Sequence, residues 1–210
     1  MTTSSRPPEV LGHASLRRDG SLRDETRRVP GEPGVWVFLA GDLVIFTVLF
    51  GVYLHRRALD RNIFAESQQH LNRTLGATNT IILLTSSVLV ALAAKSIRDR
   101  YLRRFTPWLT LAGAAVGSCF VIIKAVEYHQ KLSAGITPAT NDFYMYYYVL
   151  TGLHLAHVVI GLIVLSVLSR LAAKPAPTPT HIIFFEGGAC FWHLVDLLWI
   201  VIFPLLFLVR

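Results

Sequence analysis

Residues 143–171 read FYMYYYVLTGLHLAHVVIGLIVLSVLSRL and decide the fold of this chain. Apart from Arg170, the stretch contains no lysine, arginine, aspartate or glutamate. A helix rises about 1.5 Å per residue, so this run can cross roughly 30 Å of hydrocarbon with residues to spare. The apolar pattern is continuous rather than alternating, which argues against a strand of a membrane β-barrel. We therefore predict a transmembrane helix here.

Four other segments show the same pattern, and composition agrees with a membrane location. Of the 210 residues, 53% are hydrophobic and only 16% are charged. Soluble domains carry about 25% charged residues. The sequence predicts an all-α polytopic membrane protein in which a domain over 34–210 forms a five-helix bundle. The predicted spans are 34–54, 77–94, 107–126, 143–171 and 182–209.

Charge between the spans predicts the orientation. Residues 1–33 are polar, rich in arginine and proline, and have no apolar stretch, which predicts a flexible tail rather than a signal peptide. Lysine and arginine total thirteen in 1–33, 95–106 and 170–181, against six on the other side of the spans. Because basic loops stay in the cytoplasm, the N-terminus is predicted inside and the C-terminus outside. The formal charge of +7 thus reflects topology rather than nucleic-acid binding.

Two local signals mark the ends of spans. Thr106 and Pro107 are typical of a capping residue followed by proline at the first helical position. Residues 174–179, KPAPTP, predict a stiff connector between the fourth and fifth spans.

Acidic, histidine and other polar side chains inside the spans bear most directly on function. Ionisable groups in a bilayer persist only when they are paired, buried in a bundle or used. Helical spacing places them in stripes that should face one another. The stripes contain Asp42; Asn79 and Ser86; Gly113, Gly117, Phe120, Lys124 and Glu127; Thr151, His154, His157 and Gly161; and Glu186, Cys190 and His193, with Asp196 to one side.

Three interpretations of these stripes remain open. The histidines and glutamates have the chemistry of a metal or haem site, although His154 and His157 lie early in their span and His193 lies near the middle of the next. Chains of aspartate, glutamate and histidine can also carry protons. The interpretation we favour is that the groups form interhelical hydrogen bonds that hold the bundle together and line a lipid-filled groove. Nucleophile, phosphate-loop and dinucleotide motifs are absent from the sequence, so we expect no catalytic centre in this chain.

The ordered motifs resemble subunit III of the haem-copper oxidases. Span one, FLAGDLVIFTVLFGVYLHRRA, looks like the family's helix with an acid in a phenylalanine-rich setting, and Asn79 opens an NT-x-x-LL-x-S-like run. Glu127-Tyr128 matches the family's EY pair. Residues 143–161 resemble F-x-x-TG-x-H-x-x-H-V-x-x-G, and 184–203, with Trp192, resemble FE-x-x-x-WHF-VD-x-VW. The resemblance runs from about Gly34 to the C-terminus.

The resemblance implies a fold and a role. Family members have seven or five helices around a V-shaped cleft that holds phospholipid, and this chain resembles the five-helix form. Subunit III binds no haem or copper. It packs beside catalytic subunit I, which holds both, reduces dioxygen to water and pumps protons. Asp42 takes the position of the family's buried, carbodiimide-reactive glutamate, and Gly41-Asp42 stands where most members have Ser-Glu.

The resemblance also implies site residues. Asp42 is expected to face the lipid cleft. The polar network is expected to contain Asn79, Glu127, His154, His157, Glu186, Trp192, His193 and Asp196. The expected location is a bacterial plasma membrane.

Two alternatives accompany this assignment. The GEPG-x-WVF opening with Gly41-Asp42 resembles the branch of the family found with nitric oxide reductase, whose members are accessory or activation proteins. The competing class is an independent b-type cytochrome or ion carrier, which would use the histidines and acids directly.

Overall fold

The computed structural model describes residues 33–174 and 178–209 of the chain. The predicted tail, except for its last residue, and the middle of the 174–179 connector lie outside this part. The helices are α1 Pro33–Leu59, α2 Arg61–Gln69, α3 Arg73–Ser96, α4 Thr106–Ser133, α5 Asp142–Ala172 and α6 Pro179–Phe203. A 3₁₀ turn, Arg103–Phe105, precedes α4, and a π-helical turn, Pro204–Leu208, extends α6.

Within the described residues, five helices are long and apolar enough to cross a membrane: α1, α3, α4, α5 and α6 with its extension. The predicted all-α fold with five spans is confirmed. The helices run several residues past the predicted spans, for example to Leu59 in α1. Hydropathy falls at the polar residues near the interface, whereas backbone hydrogen bonding continues through them.

The short helix α2 is not predicted by the hydropathy pattern, because its sequence, RNIFAESQQ, is mostly polar. Phe64 is its apolar anchor and packs against the rings of Tyr53 and Phe143, each at 5.6 Å between centroids. Gln68 Nε2 donates to the carbonyl of Leu206 at 3.1 Å. The helix therefore lies over one end of the bundle and closes it.

The start of α4 corrects one prediction. The residue before the helix is Phe105, which makes no side-chain cap, and Thr106 is already helical. The Thr106 hydroxyl is fully buried and forms a hydrogen bond of 2.7 Å with the hydroxyl of Ser96. The prediction of a Thr106 cap is wrong because the side chain joins α4 to the end of α3 instead.

Helices α3, α4, α5 and α6 form the bundle, and α1 packs along α5 and α6. Glycines allow close approaches between helices. A Cβ added to Gly113 would lie 2.9 Å from Val90 of α3. The same addition at Gly117 or Gly161 would lie 2.8 Å or 2.6 Å from the Trp192 indole. The GxxxG segment of α4 thus contacts two different neighbours, as small residues allow in membrane helices.

Candidate functional site

A buried ion pair lies on α4. Lys124 Nζ lies 2.9 Å from Glu127 Oε2, with side-chain exposures of 0% and 3%. The Tyr147 hydroxyl of α5 donates to the other carboxylate oxygen at 2.6 Å. Both oxygens of Glu127 therefore have donors, which satisfies a charge that would otherwise be costly in this setting.

Aromatic rings enclose the Lys124 ammonium. Their centroids lie within cation–π range. The rings are those of Trp199 at 5.0 Å, Tyr147 at 5.3 Å, Phe207 at 5.7 Å and Tyr128 at 5.9 Å. Lys124 belongs to the predicted stripe of α4 but is not among the residues expected in the network. The signal available in the sequence was a lysine three residues before a glutamate inside an apolar span.

Asp42 of α1 meets His157 of α5. Asp42 Oδ1 lies 3.4 Å from His157 Nε2, and Asp42 is 7% exposed. His157 Nδ1 contacts the Leu153 carbonyl at 2.8 Å. A carbonyl can only accept, so Nδ1 carries a proton. The Asp42–His157 contact is a polar link between α1 and α5.

The α3–α6 seam contains a second set of contacts. Ser87 Oγ lies 2.6 Å from His193 Nδ1, and Asp196 lies beside the same serine. Nearer the end of α3, Arg98 Nη2 lies 2.6 Å from Glu186 Oε1. Arg98 is 67% exposed and Glu186 is 12% exposed, so this ion pair lies at the rim of the bundle.

His154 and Asn79 are fully buried but lack such contacts. Neither ring nitrogen of His154 and neither amide atom of Asn79 has a hydrogen-bond partner among the described residues. His154 stacks on Trp199 at 5.2 Å and meets the edge of Phe120 at 5.5 Å. Trp199 in turn donates to the Thr80 hydroxyl at 3.1 Å. His154 therefore behaves here as an aromatic core side chain.

The residues expected in one network thus lie in separate contacts. Glu127 joins α4 to α5, His193 joins α6 to α3, and Glu186 joins α6 to the segment that follows α3. Trp192 fills the space beside the two glycines, and its Nε1 has no hydrogen-bond partner in the described part of the chain. Over residues 33–174 and 178–209, no three histidine, cysteine, aspartate or glutamate side chains are grouped as ligands for a metal ion.

An apolar groove lies between α1, α5 and α6, with a volume of about 380 Å³. We call it the α1 groove. Val35 and Phe38 form its α1 wall, Val164 its α5 wall, and Gly187 and Phe191 its α6 wall. Asp42 lies one turn beyond Phe38 along α1 and is not among the residues that line the groove.

Comparison with known proteins points to one family. A model of the family described as "Cytochrome c oxidase subunit III" matches residues 31–209. Cytochrome c oxidase subunit 3 of Synechocystis sp. is 35% identical over 176 residues, covering 83% of this chain and 74% of that protein. The same subunit of Thermostichus vulcanus is 32% identical over 180 residues, covering 83% and 85%.

A third relative comes from a quinol-oxidising complex. Cytochrome bo(3) ubiquinol oxidase subunit 3 of Pseudomonas putida is 27% identical over 177 residues, covering 83% of this chain and 84% of that protein. All three relatives carry the names of oxidase subunits. These comparisons therefore do not indicate the nitric oxide reductase branch.

Proposed function

The chain belongs to the cytochrome c oxidase subunit III family, and on that premise we propose that this subunit III of a haem-copper oxidase is a non-catalytic partner of catalytic subunit I. In this proposal, subunit I holds the haem and copper, reduces dioxygen and pumps protons. The present chain packs beside it in a bacterial plasma membrane and stabilises it during turnover.

The observation that carries the proposal is how the family-like acids and histidines are used. Glu127 is engaged by Lys124 and Tyr147, and His193 is engaged by Ser87. The Glu127–Tyr147 contact joins α4 to α5 and the His193–Ser87 contact joins α6 to α3, whereas the Lys124–Glu127 pair lies within α4. Acids and histidines that join helices in this way are suited to a supporting subunit.

Co-purification tests this function. The full chain, tagged at its C-terminus and purified in a mild detergent, should retain a haem-copper subunit I and show that subunit's haem spectrum. A stoichiometric Soret band from the chain alone would instead favour an independent cytochrome. Recovery of the intact chain with no haem-copper subunit, from membranes that contain one, would contradict the proposal. The identity of the co-purified subunit also distinguishes an oxidase from a nitric oxide reductase.

We further propose that the α1 groove holds a phospholipid acyl chain and that Asp42 faces this lipid. The described walls are apolar, and α1 leaves the groove open on one side. Val164→Trp would place an indole in the groove and should reduce the lipid retained by the purified chain, as measured by native mass spectrometry. Val88→Trp, on an exposed face of α3, is the matched control. Equal lipid retention in both variants would reject a lipid site here.

The orientation is also a proposal, supported by the distribution of basic residues. Tyr101 lies in the exposed segment between α3 and α4, and Ala139 lies between α4 and α5. In a background without Cys119 and Cys190, Ala139→Cys should react with an impermeant maleimide on intact spheroplasts. Tyr101→Cys should react only after lysis. The reverse labelling pattern would place the N-terminus outside.

A further inference from the structure

A second groove lies between the end of α3 and the start of α4, away from the α1 groove. Its volume is about 670 Å³. Leu92 forms an apolar wall on α3, Trp108 and Leu109 form the wall on α4, and Phe105 closes the end. Lys95 lies at its edge. We call this the α3–α4 groove.

Two cations at the mouth of this groove have no carboxylate partner among the described residues. Lys95 is exposed and forms none of the ion pairs found there. The Arg104 guanidinium lies 4.6 Å above the Phe105 ring, which itself lines the groove. The nearby Arg98 is already neutralised by Glu186. Residues 95–104 contain five lysine and arginine side chains against one carboxylate, Asp99, so the mouth carries net positive charge.

The α3–α4 groove also lies at a depth in the membrane that suits a lipid. It lies where α3 ends and α4 begins, and the exposed side chains of Tyr101 and Trp108 flank it. Aromatic residues in such positions mark the boundary between hydrocarbon and headgroups. The walls of the groove on the membrane side of this boundary are apolar, and the cations lie at the boundary. This arrangement matches an amphiphile with an anionic head group.

We propose that the α3–α4 groove binds one anionic phospholipid. Its phosphate lies against Lys95 and Arg104, and an acyl chain lies along Leu92, Trp108 and Leu109. A free phosphate would leave the apolar walls uncovered. A zwitterionic lipid would leave the positive charge of the mouth uncompensated. This site differs from the α1 groove, where the described lining contains no charged side chain.

The first test removes the charge at the mouth. The full chain is placed in nanodiscs that contain equal amounts of phosphatidylglycerol and phosphatidylcholine, and the retained lipid is counted by native mass spectrometry after release. Each basic residue near an anionic headgroup contributes about fivefold in affinity, so the Lys95→Gln, Arg104→Gln double variant should lose phosphatidylglycerol preference by roughly 25-fold. The matched control is Arg170→Gln with Lys174→Gln, which removes two charges at the end of α5. It should retain the preference.

A second variant tests the apolar walls without changing charge. Ala112 lines the groove and is exposed, so Ala112→Trp fills the groove without entering the core. It should reduce retention of both lipids at this site. Adding millimolar inorganic phosphate should displace nothing.

Three results would overturn the proposal. An equal loss of preference in the Arg170 and Lys174 control would show general surface charge rather than a site. Full lipid retention in Ala112→Trp would show that the walls are not used. Displacement by inorganic phosphate would show an anion site without a lipid.

Discussion

Replacing Lys124 by methionine should strongly destabilise the bundle. The substitution keeps the volume of the side chain but leaves the Glu127 carboxylate 3% exposed, with Tyr147 as its remaining donor. Removing one partner of a buried ion pair costs about 3–5 kcal/mol, because the other charge stays buried without compensation. With about 2–4 °C per kcal/mol for a chain of this size, the melting temperature in detergent should fall by roughly 6–20 °C.

The double variant Lys124→Met, Glu127→Gln should recover most of this loss. The glutamine carbonyl can still accept from the Tyr147 hydroxyl, and no uncompensated charge remains. Replacing a buried ion pair by groups of similar volume is often neutral, so we expect stability within about 1 kcal/mol of the native chain. The coupling energy of the double-mutant cycle should then be at least about 2 kcal/mol.

The assay is reversible unfolding in mixed micelles of rising dodecyl sulfate fraction, followed by tryptophan fluorescence. Lys174→Met, at an exposed lysine after α5, controls for the loss of a positive charge. It should change the free energy of unfolding by less than about 0.5 kcal/mol. Additive costs for the two single variants, with coupling under about 0.5 kcal/mol, would refute the claim that the pair is held as a buried unit.

Two further predictions use the same unfolding assay. Gly161→Ala should lower the free energy of unfolding by about 1–3 kcal/mol, because the added Cβ would lie 2.6 Å from the Trp192 ring. The control is Gly51→Ala, which has nothing within 4 Å of the added Cβ and should not lower the free energy of unfolding. Equal effects of the two variants would contradict the packing argument. Arg98→Gln should cost less than about 1 kcal/mol, because Arg98 is 67% exposed and its pair with Glu186 is screened. A loss above about 2 kcal/mol would show that the rim pair is structurally essential.

The spans and their buried faces could be predicted from the sequence. Gly113, Phe120 and Glu127 fall on one helical face by spacing alone, and all three are buried. Helix α2 could not be predicted in this way, because its anchoring depends on the distant Tyr53 and Leu206 rather than on its own pattern. A local sequence pattern predicts a helix when the helix buries a continuous apolar stripe. Helix α2 buries few residues, so its sequence shows no such stripe.

The contacts of the polar residues could not be predicted from the sequence. A helical wheel gives the face of a side chain, but neither the neighbouring helix nor the level at which two helices meet. Asp42 looks isolated in span one, yet it meets His157 across the α1–α5 contact. A lysine inside span three is energetically costly when judged from the sequence alone. In the structure, Glu127 and the enclosing aromatic rings stabilise Lys124 within the core.

The sequence by itself determined the membrane class, the number of spans and the family, because hydropathy, helical period and ordered motifs are properties of the chain read in one dimension. Only the tertiary structure decided how the polar groups are used. The pairings of Glu127 with Tyr147 and of His193 with Ser87 depend on helix packing at ångström precision. Packing is set by glycines such as Gly117 and by bulky partners such as Trp192, and their fit exists only once the helices meet.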